Sequence, residues 1–418
     1  MFNEEYKYMD NNRNKVCVYT ICKNEEKNID KWFTSVKDAD LICLVDTGST
    51  DSTVDKIKEY QNMFGSTKVI YMSYIQDEFS FSMARNRCLE MAQNCIINQS
   101  RDLYKQPHDY YNWAYVSLDL DEFIEPGGIN KIREIWSDDY DVMEMSVECI
   151  ASDGSIESTS FVHHKVHSKE FYWTRDIHEI ITKTGSEKYW RILPSDIGYK
   201  HIQDKEKPRN YYEILKNSFK RGDRTSKTLV YLAWEAYEHS DWEEMYRYAK
   251  LGLLAVTDNS SDENYMDYQY ILCLRRYIAL YYIYKNNWDI AYNELLKCID
   301  IFATGKFPRT RVIYREIARV AWEVDKVKSI MYYSQFFDIH CPEEYWVEDF
   351  NLYTYKSEAE VYSELSNAYF YCDLGYDWKM QSIFYAETAY SLDPENETIK
   401  YNLECLHGYF RQNNTPEV

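Results

Sequence analysis

Tyr115-Val-Ser-Leu-Asp119-Leu-Asp121-Glu122 is a short apolar run that ends in two carboxylates separated by one residue. A run of this length, bounded by polar residues, reads as a buried strand. Two carboxylates so close together repel each other unless a cation sits with them. The stretch is therefore read as a strand delivering Asp119 and Asp121 to a divalent metal. Hard oxygen ligands suit Mg²⁺ or Mn²⁺, which usually bridge a few carboxylates to substrate phosphates.

The residues that precede it alternate in kind. Val16-Cys-Val-Tyr-Thr20-Ile21 is a β-branched and aromatic run that breaks at Cys22-Lys-Asn24-Glu25-Glu26. Ile29, Trp32, Phe33 and Val36 then follow the i, i+3, i+4, i+7 spacing of an amphipathic helix. Leu41-Ile-Cys-Leu-Val45 is a second strand, running into Asp46-Thr-Gly48-Ser-Thr-Asp51-Ser52, where Asp51 or Ser52 can cap a helix bearing Val54, Ile57 and Phe64. Lys68 to Met72 is a third strand, Ser82 to about Asn98 a third helix, and Trp113 to Leu118 a fourth strand. This β-α alternation predicts a parallel, doubly wound sheet. In such sheets the ligand lies outside the carboxyl ends of the strands. The polar segments Thr20 to Glu25, Asp46 to Asp51 and Asp119 to Glu122 all follow strands directly, so they converge on one crevice.

Each group there has a chemical use. Asp46 can accept hydrogen bonds from a nucleobase N–H or from ribose hydroxyls. Arg85, in Phe79-Ser-Phe-Ser-Met-Ala-Arg85-Asn86-Arg87, offers a fork-shaped donor to a phosphate or to a carboxylate that needs positioning. No GxGxxG follows the first strand and no GxxxxGK[ST] occurs, so neither a dinucleotide site nor a P-loop is indicated.

Composition narrows the class. At 418 residues the chain should hold two or three domains. Its 48 Lys plus Arg against 69 Asp plus Glu give a formal charge of -21, which repels polyanions and argues against a dedicated nucleic-acid binder. Eleven Cys show no CxxC pairing and most sit in apolar runs, as expected of reduced, buried thiols in a cytoplasmic protein. The acidic N-terminus and the absence of any apolar run near 18 residues predict neither an export signal nor a membrane span.

Beyond about Lys207 strand signals fade. Tyr231-Leu-Ala-Trp-Glu-Ala with Ser240-Asp241-Trp242, Tyr277-Ile-Ala-Leu-Tyr-Tyr with Asn286-Asn287-Trp288, and Ser366-Asn-Ala368-Tyr with Gly375-Tyr-Asp377-Trp378 repeat one unit, and a weaker unit lies between 311 and 340. Small residues in a first helix, a polar turn and an aromatic opening a second helix resemble degenerate tetratricopeptide repeats. Such helix pairs stack into a solenoid because none can bury its faces alone. The aromatic stripes read as core rather than as a binding platform.

Thr20-Ile-Cys-Lys-Asn24-Glu25-Glu26, Val45-Asp46-Thr-Gly48-Ser-Thr-Asp51, Phe81-Ser-Met-Ala-Arg85-Asn86 and Leu118-Asp119-Leu-Asp121-Glu122 together resemble, in sequence and order, the GT-A glycosyltransferases of family 2. The likeness spans about residues 15–210, and it looks closest to the bacterial branch with a tetratricopeptide-type tail, which includes peptide S-glycosyltransferases of the sublancin type. It implies a Rossmann-like mixed α/β sheet followed by an all-α repeat domain. We accordingly expect an N-terminal extension over 1–14, a catalytic domain over 15–206 and a repeat domain over 207–418.

The resemblance further implies inverting transfer from a nucleotide-sugar, commonly a UDP-sugar, with a divalent metal. It puts Asp46 at the base or ribose, Asp119 near the ribose or metal, and Asp121 on the metal; Thr20, Glu25 and Arg85 belong with the nucleotide-sugar. Glu122 is then a supporting or surface carboxylate. Asp176-Ile-His178-Glu179 resembles the family's V-H-E segment, and Tyr199-Lys-His201 with Pro208-Arg209-Asn210 resembles the segment that closes the domain. Where the family often has arginines, this chain reads Phe161-Val-His163-His164-Lys165-Val-His167, which leaves open which cation meets the donor phosphates. Inverting transfer needs a general base and a stabiliser of the leaving group. Glu179 is the first candidate for the base and Asp176 the reserve. His178 can orient Glu179 or a phosphate, and His201 can complete the metal shell.

The repeat tail suits a peptide or protein acceptor or a homodimer contact; glycan and modified-nucleobase acceptors come next. The rival readings are a nucleotidyltransferase, which uses the same metal chemistry, and a repeat scaffold with a vestigial nucleotide-binding domain.

Overall fold

The computed structural model describes residues 14–102, 112–151, 154–185, 189–202, 210–258, 265–305, 307–339, 355–372 and 374–413. The expected extension up to residue 13, the pair Pro208-Arg209, the boundary at 206 and Cys341 lie outside the described residues, as do the side chains of Phe161 and Val162. The chain divides into two compact units, Met1–Asn217 and Ser218–Val418.

In the first unit the expected alternation forms: β1 (Lys15–Cys22), α1 (Ile29–Val36), β2 (Leu41–Asp46), α2 (Thr53–Phe64), β3 (Val69–Ser73), α3 (Phe81–Asp102) and β4 (Trp113–Ser117). The four strands are parallel in the order β3-β2-β1-β4. Buried on both faces, β1 and β2 are near-continuous apolar runs, as central parallel strands should be. Their alternate residues still serve different layers. Val16 and Val18 pack under Trp32, Phe33 and Ile57 of α1 and α2. Cys17, Tyr19 and Ile21 face Ala84, Cys88 and Leu89 of α3 on the other side.

Beyond β4 the chain adds β5 (Glu122–Ile124), α4 (Gly128–Ile135), β6 (Val142–Ile150), β7 (Ile156–His167), β8 (Phe171–Thr174), β9 (Ile180–Lys183), β10 (Ile192–Leu193), β11 (Gly198–Ile202) and α5 (Tyr211–Lys220). The sheet continues β4-β7-β6-β11-β5, with β10 beside β6. β7 runs antiparallel to both β4 and β6, so the sheet is mixed, while β8 and β9 form a separate hairpin. Strand order reverses at β1, because β2 and β3 lie on one side of it and β4 on the other. The crevice for a ligand therefore opens at the carboxyl ends of β1 and β4.

One buried chain of hydrogen bonds ties three of these strands. The Trp173 indole N–H donates to the Tyr19 hydroxyl at 2.8 Å, Tyr19 donates to Nε2 of His167 at 2.6 Å, and His167 Nδ1–H donates to the Ser168 carbonyl at 2.7 Å. His167 is thereby neutral, and burial holds its pKa down to about 4 from 6.5. An unfolded chain takes up a proton below about pH 6.5 that the folded chain refuses, so this group's stabilisation is complete above that pH and is lost as pH falls toward 4. Urea unfolding at pH 7 and pH 4.5 should show about 2 kcal/mol of acid destabilisation from this residue. His167→Gln should flatten that dependence by the same amount.

The second unit is helical: α6 (Ser226–Glu238), α7 (Trp242–Asp258), α8 (Tyr265–Tyr284), α9 (Trp288–Ala303), α10 (Arg311–Val324), α11 (Lys326–Phe337), α12 (Tyr355–Cys372), α13 (Tyr376–Leu392) and α14 (Glu397–Asn413). The turns repeat at the level of backbone geometry. Ser240 and Asn286 both adopt φ near +55°, at 58° and 55°. In each case the residue that follows bonds back across the turn, Asp241 N–H to Ala236 O and Asn287 N–H to Tyr282 O, both at 2.8 Å. This is the left-handed helix-ending motif. Ala233, Ala236, Ala279, Ala291, Ala386 and Ala389 are buried where helices meet. At Gly252 a Cβ would lie 2.8 Å from a Leu274 methyl, so glycine lets the two helices approach without displacing that leucine. Of the aromatic stripes, Tyr231, Tyr248 and Tyr277 are core, whereas Tyr284 is exposed. No helix among the described residues is long and apolar enough to cross a membrane.

Candidate active site

The loops after β1 and β2 form one laced structure. The Asn24 carboxamide accepts from Thr50 N–H at 2.8 Å, and Asn24 N–H donates to Ser49 Oγ at 2.9 Å. Glu25 N–H donates to Thr53 Oγ1 at 2.7 Å and Glu26 N–H to Asp51 Oδ2 at 3.2 Å. Glu25 also accepts from the Asn28 carboxamide at 2.8 Å. The side chain of Thr20 is buried and donates to the Ile21 carbonyl at 3.1 Å. Much of the Asn-Glu-Glu and Thr-Gly-Ser-Thr-Asp pattern thus holds the two strand ends together. Asp46 is buried at the end of β2 and accepts Gly48 N–H and Ser49 N–H at 3.1 Å each. Gly48 has φ +105°, a conformation that side chains disfavour, so the turn requires glycine.

Trp32 donates its indole N–H to the Leu118 carbonyl at 3.2 Å and so pins the end of β4. Each carboxylate that follows has its own partner. Asp119 takes both terminal nitrogens of Arg85, at 2.6 and 2.8 Å. Glu122 takes Lys165 Nζ on both oxygens, at 2.7 and 2.8 Å. Asp121 lies 3.3 Å from Nε2 of His201. Sheet register explains the last pair: His201 on β11 is opposite Glu122 on β5, and Ile202 N–H donates to the Asp121 carbonyl at 2.9 Å.

Burial opposes ionisation at Asp119, yet the adjacent Arg85 charge outweighs it and holds the carboxyl well below its usual range. At Glu122 burial wins and the pKa is raised despite Lys165. At His201 burial favours the neutral ring, but Asp121 outweighs it and raises the pKa. Glu122, expected as a supporting or surface carboxylate, is buried, because its oxygen Oε2 accepts the Asp119 N–H at 2.9 Å and closes the turn.

Arg85 reaches further. Its Nε donates to Glu179 Oε1 at 2.6 Å, and its guanidinium lies 5.1 Å over the Trp173 ring. One buried arginine therefore joins the Asp119 turn to the hairpin that carries the candidate base. Of its two sequence-level uses, the carboxylate is the one observed. The start of α3 and the residue before it clamp the same hairpin. Asn86 exchanges two bonds with the Trp173 backbone, at 2.7 and 2.8 Å, while Ser80 Oγ donates to Asp176 Oδ1 and Phe81 N–H donates to the Asp176 carbonyl at 3.2 Å.

The loop between β8 and β9 has two non-glycine residues at positive φ, Arg175 at 68° and His178 at 50°. Such conformations persist where surroundings impose them and cluster at functional sites. His178 is exposed with its ring 6.1 Å from that of Tyr211. The structure thus brings together Arg85, Asp119 and Glu179, and separately Asp121 and His201. His163 bonds Tyr199, His164 lies 3.9 Å from Glu144, and His167 belongs to the core. Ser80, Asn86, Lys165 and Trp173 carry no assignment from the sequence. Asn86 adjoins Arg85 at the end of the Phe81 to Asn86 motif, and Ser80 directly precedes the helix; their place beside that motif was the signal for them.

Among the described residues no three His, Cys, Asp or Glu side chains are grouped closely enough to hold a metal. The pair Asp121 and His201 offers one hard oxygen and one imidazole nitrogen. The carboxylate suits Mg²⁺ or Mn²⁺, which complete their shells with water and phosphate oxygens, and the imidazole favours Mn²⁺ of the two. Asp119 is drawn instead onto Arg85.

Residues 17–100 match the family described as Glycosyl transferase family 2. No curated protein matches the chain. Among solved structures it is similar to MamA at 14% identity and a TM-score of 0.32, covering 44% of this chain and 82% of that one. It is also similar to YrrB, described as a TPR protein with an unusual peptide-binding site, at 10% identity and a TM-score of 0.34, covering 49% and 86%. The pilF protein of Pseudomonas aeruginosa aligns at 13% identity and a TM-score of 0.32, covering 47% and 72%. Scores this low add nothing to the repeated hairpins and turns of the second unit, which carry that architecture themselves. The chain therefore contains a glycosyl transferase family 2 domain, followed by tetratricopeptide-like helical hairpins.

Proposed function

We propose that the protein is a metal-dependent inverting glycosyltransferase that moves a sugar from a UDP-sugar to a side chain of a peptide or protein. The observation that carries this reading is Arg85, buried and shared between Asp119 and Glu179. It makes the strand-end carboxylates and the β8–β9 hairpin parts of one device.

Asp46, with two backbone N–H groups already on its oxygens, accepts from the base or ribose through its remaining lone pairs. Asp119, oriented by Arg85, meets the ribose. Asp121 and His201 would hold the divalent ion, which supplies charge neutralisation for the departing diphosphate. Glu179 has Oε1 on Arg85 and Oε2 without a hydrogen bond among the described residues. That second oxygen takes the proton from the acceptor nucleophile as its lone pair attacks the anomeric carbon and the bond to the diphosphate breaks on the opposite face. Asp176, the reserve base, has Oδ1 engaged by Ser80. The helical hairpins present the acceptor, a peptide being the ligand such stacked surfaces suit best.

A thermal-shift panel of nucleotide-sugars with Mn²⁺ or Mg²⁺ tests this directly. At 100 times Kd a ligand stabilises by about 2.7 kcal/mol, enough to resolve one nucleotide from another.

A further inference from the structure

Lys165 lies in the Phe161 to His167 stretch, whose sequence leaves open which cation, if any, meets the donor phosphates, and its surroundings give it another task. Its side chain is 14% exposed, and its ammonium bonds both oxygens of Glu122, at 2.7 and 2.8 Å. Glu122 in turn accepts the Asp119 N–H at 2.9 Å and donates its own N–H to the Asp119 carbonyl at 2.9 Å. The Asp119–Glu122 segment is thus a closed loop whose carboxylate latch is secured from β7. On its far side, Asp121 is held between the Ile202 N–H on its carbonyl and the His201 ring on its carboxylate. Lys165 therefore fixes the backbone from which both aspartates project, and the hydrogen bonds of its ammonium go to Glu122.

We propose that Lys165 is a positioning residue for the Asp119–Asp121 turn: through Glu122 it sets the direction in which Asp121 meets the nucleotide diphosphate. This rests on the proposed glycosyltransferase function. It differs from a direct phosphate contact, because the effect passes through Glu122. It differs from a purely structural role as well, because a buried ion pair can often be exchanged for packed apolar residues without loss of stability. An apolar pair would leave nothing to accept the Asp119 N–H.

The full chain and three variants, Lys165→Met, Glu122→Leu and the double variant, discriminate these roles by calorimetric binding of uridine alone and of UDP with Mn²⁺. Each single variant should lose about 10-fold in UDP affinity with Mn²⁺, in the range seen when residues supporting a metal ligand are removed. Uridine affinity should stay within about twofold, because Arg85 still holds the Asp119 carboxylate through two bonds. The double variant should remain folded, and show no more than the single-variant loss of affinity, since both changes break one path. Lys165→Arg, which keeps a donor to Glu122, should retain most of the affinity. Wild-type UDP affinity in the folded double variant would overturn the proposal in favour of a structural pair. Unchanged UDP affinity in Glu122→Leu beside a loss in Lys165→Met would overturn it in favour of direct phosphate contact. A parallel fall in uridine affinity would also count against it. A wild-type chain that binds neither ligand would refute the glycosyltransferase reading itself, and this inference with it.

Discussion

Arg85→Ala should be the most damaging single substitution in the first unit, lowering its stability by about 3–5 kcal/mol and abolishing transfer. The change leaves Asp119 and Glu179 facing a site from which their shared cation has gone. Removing one member of a buried, hydrogen-bonded ion pair carries a cost of about that size, because the remaining charge is stranded out of water. For a unit of this length the melting temperature should fall by roughly 10 °C. The triple variant Arg85→Met with Asp119→Asn and Glu179→Gln should recover most of that stability and none of the activity. Recovery of activity along with stability would show that none of the three side chains takes part in transfer. Arg85→Lys should fall between, since an ammonium cannot bond Asp119 through two parallel donors while also reaching Glu179.

Glu179→Gln should leave stability within about 1 kcal/mol and reduce transfer by about 100- to 10,000-fold, the range typical of a lost general base. Glutamine keeps a carbonyl oxygen for Arg85 Nε, so the hairpin holds its place and donor binding is unchanged. The measurement is a comparison of UDP affinity with turnover in the same preparation. Full activity would move the base elsewhere, and Asp176→Asn would be examined next; its engagement with Ser80 makes that variant a disturbance of the hairpin as well.

The parallel half of the sheet was legible because central strands buried on both faces cannot hide: β1 and β2 are unbroken apolar runs with polar residues at their ends. The second half was less so. β7 carries Ser, Thr, His and Lys, and β11 is only Gly-Tyr-Lys-His-Ile, so neither shows the apolar run or strict alternation that marks a strand. The candidate site was legible as a list of residues and not as a set of bonds. Arg85 meets Glu179 across 94 positions of sequence, and an arginine fork suits phosphate and carboxylate equally, so only the fold could choose. Similarly, Asn24, Glu25 and Asp51 stood out as motif residues, yet much of their work is to bond one loop to the other. The unit at 311–340 looked weak because it lacks an aromatic after its turn. It forms a hairpin nonetheless, with Asp325 as the single connecting residue capping α11 through the Val327 and Lys328 N–H groups.

The central claim is that Asp121 and the residues around it present a nucleotide-sugar for transfer. Its most direct test is the nucleotide-sugar panel read by thermal shift with Mn²⁺ or Mg²⁺, run on the wild-type chain and on Asp121→Ala. UDP-sugars should selectively stabilise the wild type, dependent on the metal, and a folded Asp121→Ala variant should lose that stabilisation. Equal stabilisation of the two proteins, or stabilisation by nucleoside triphosphates and by no nucleotide-sugar, would contradict it.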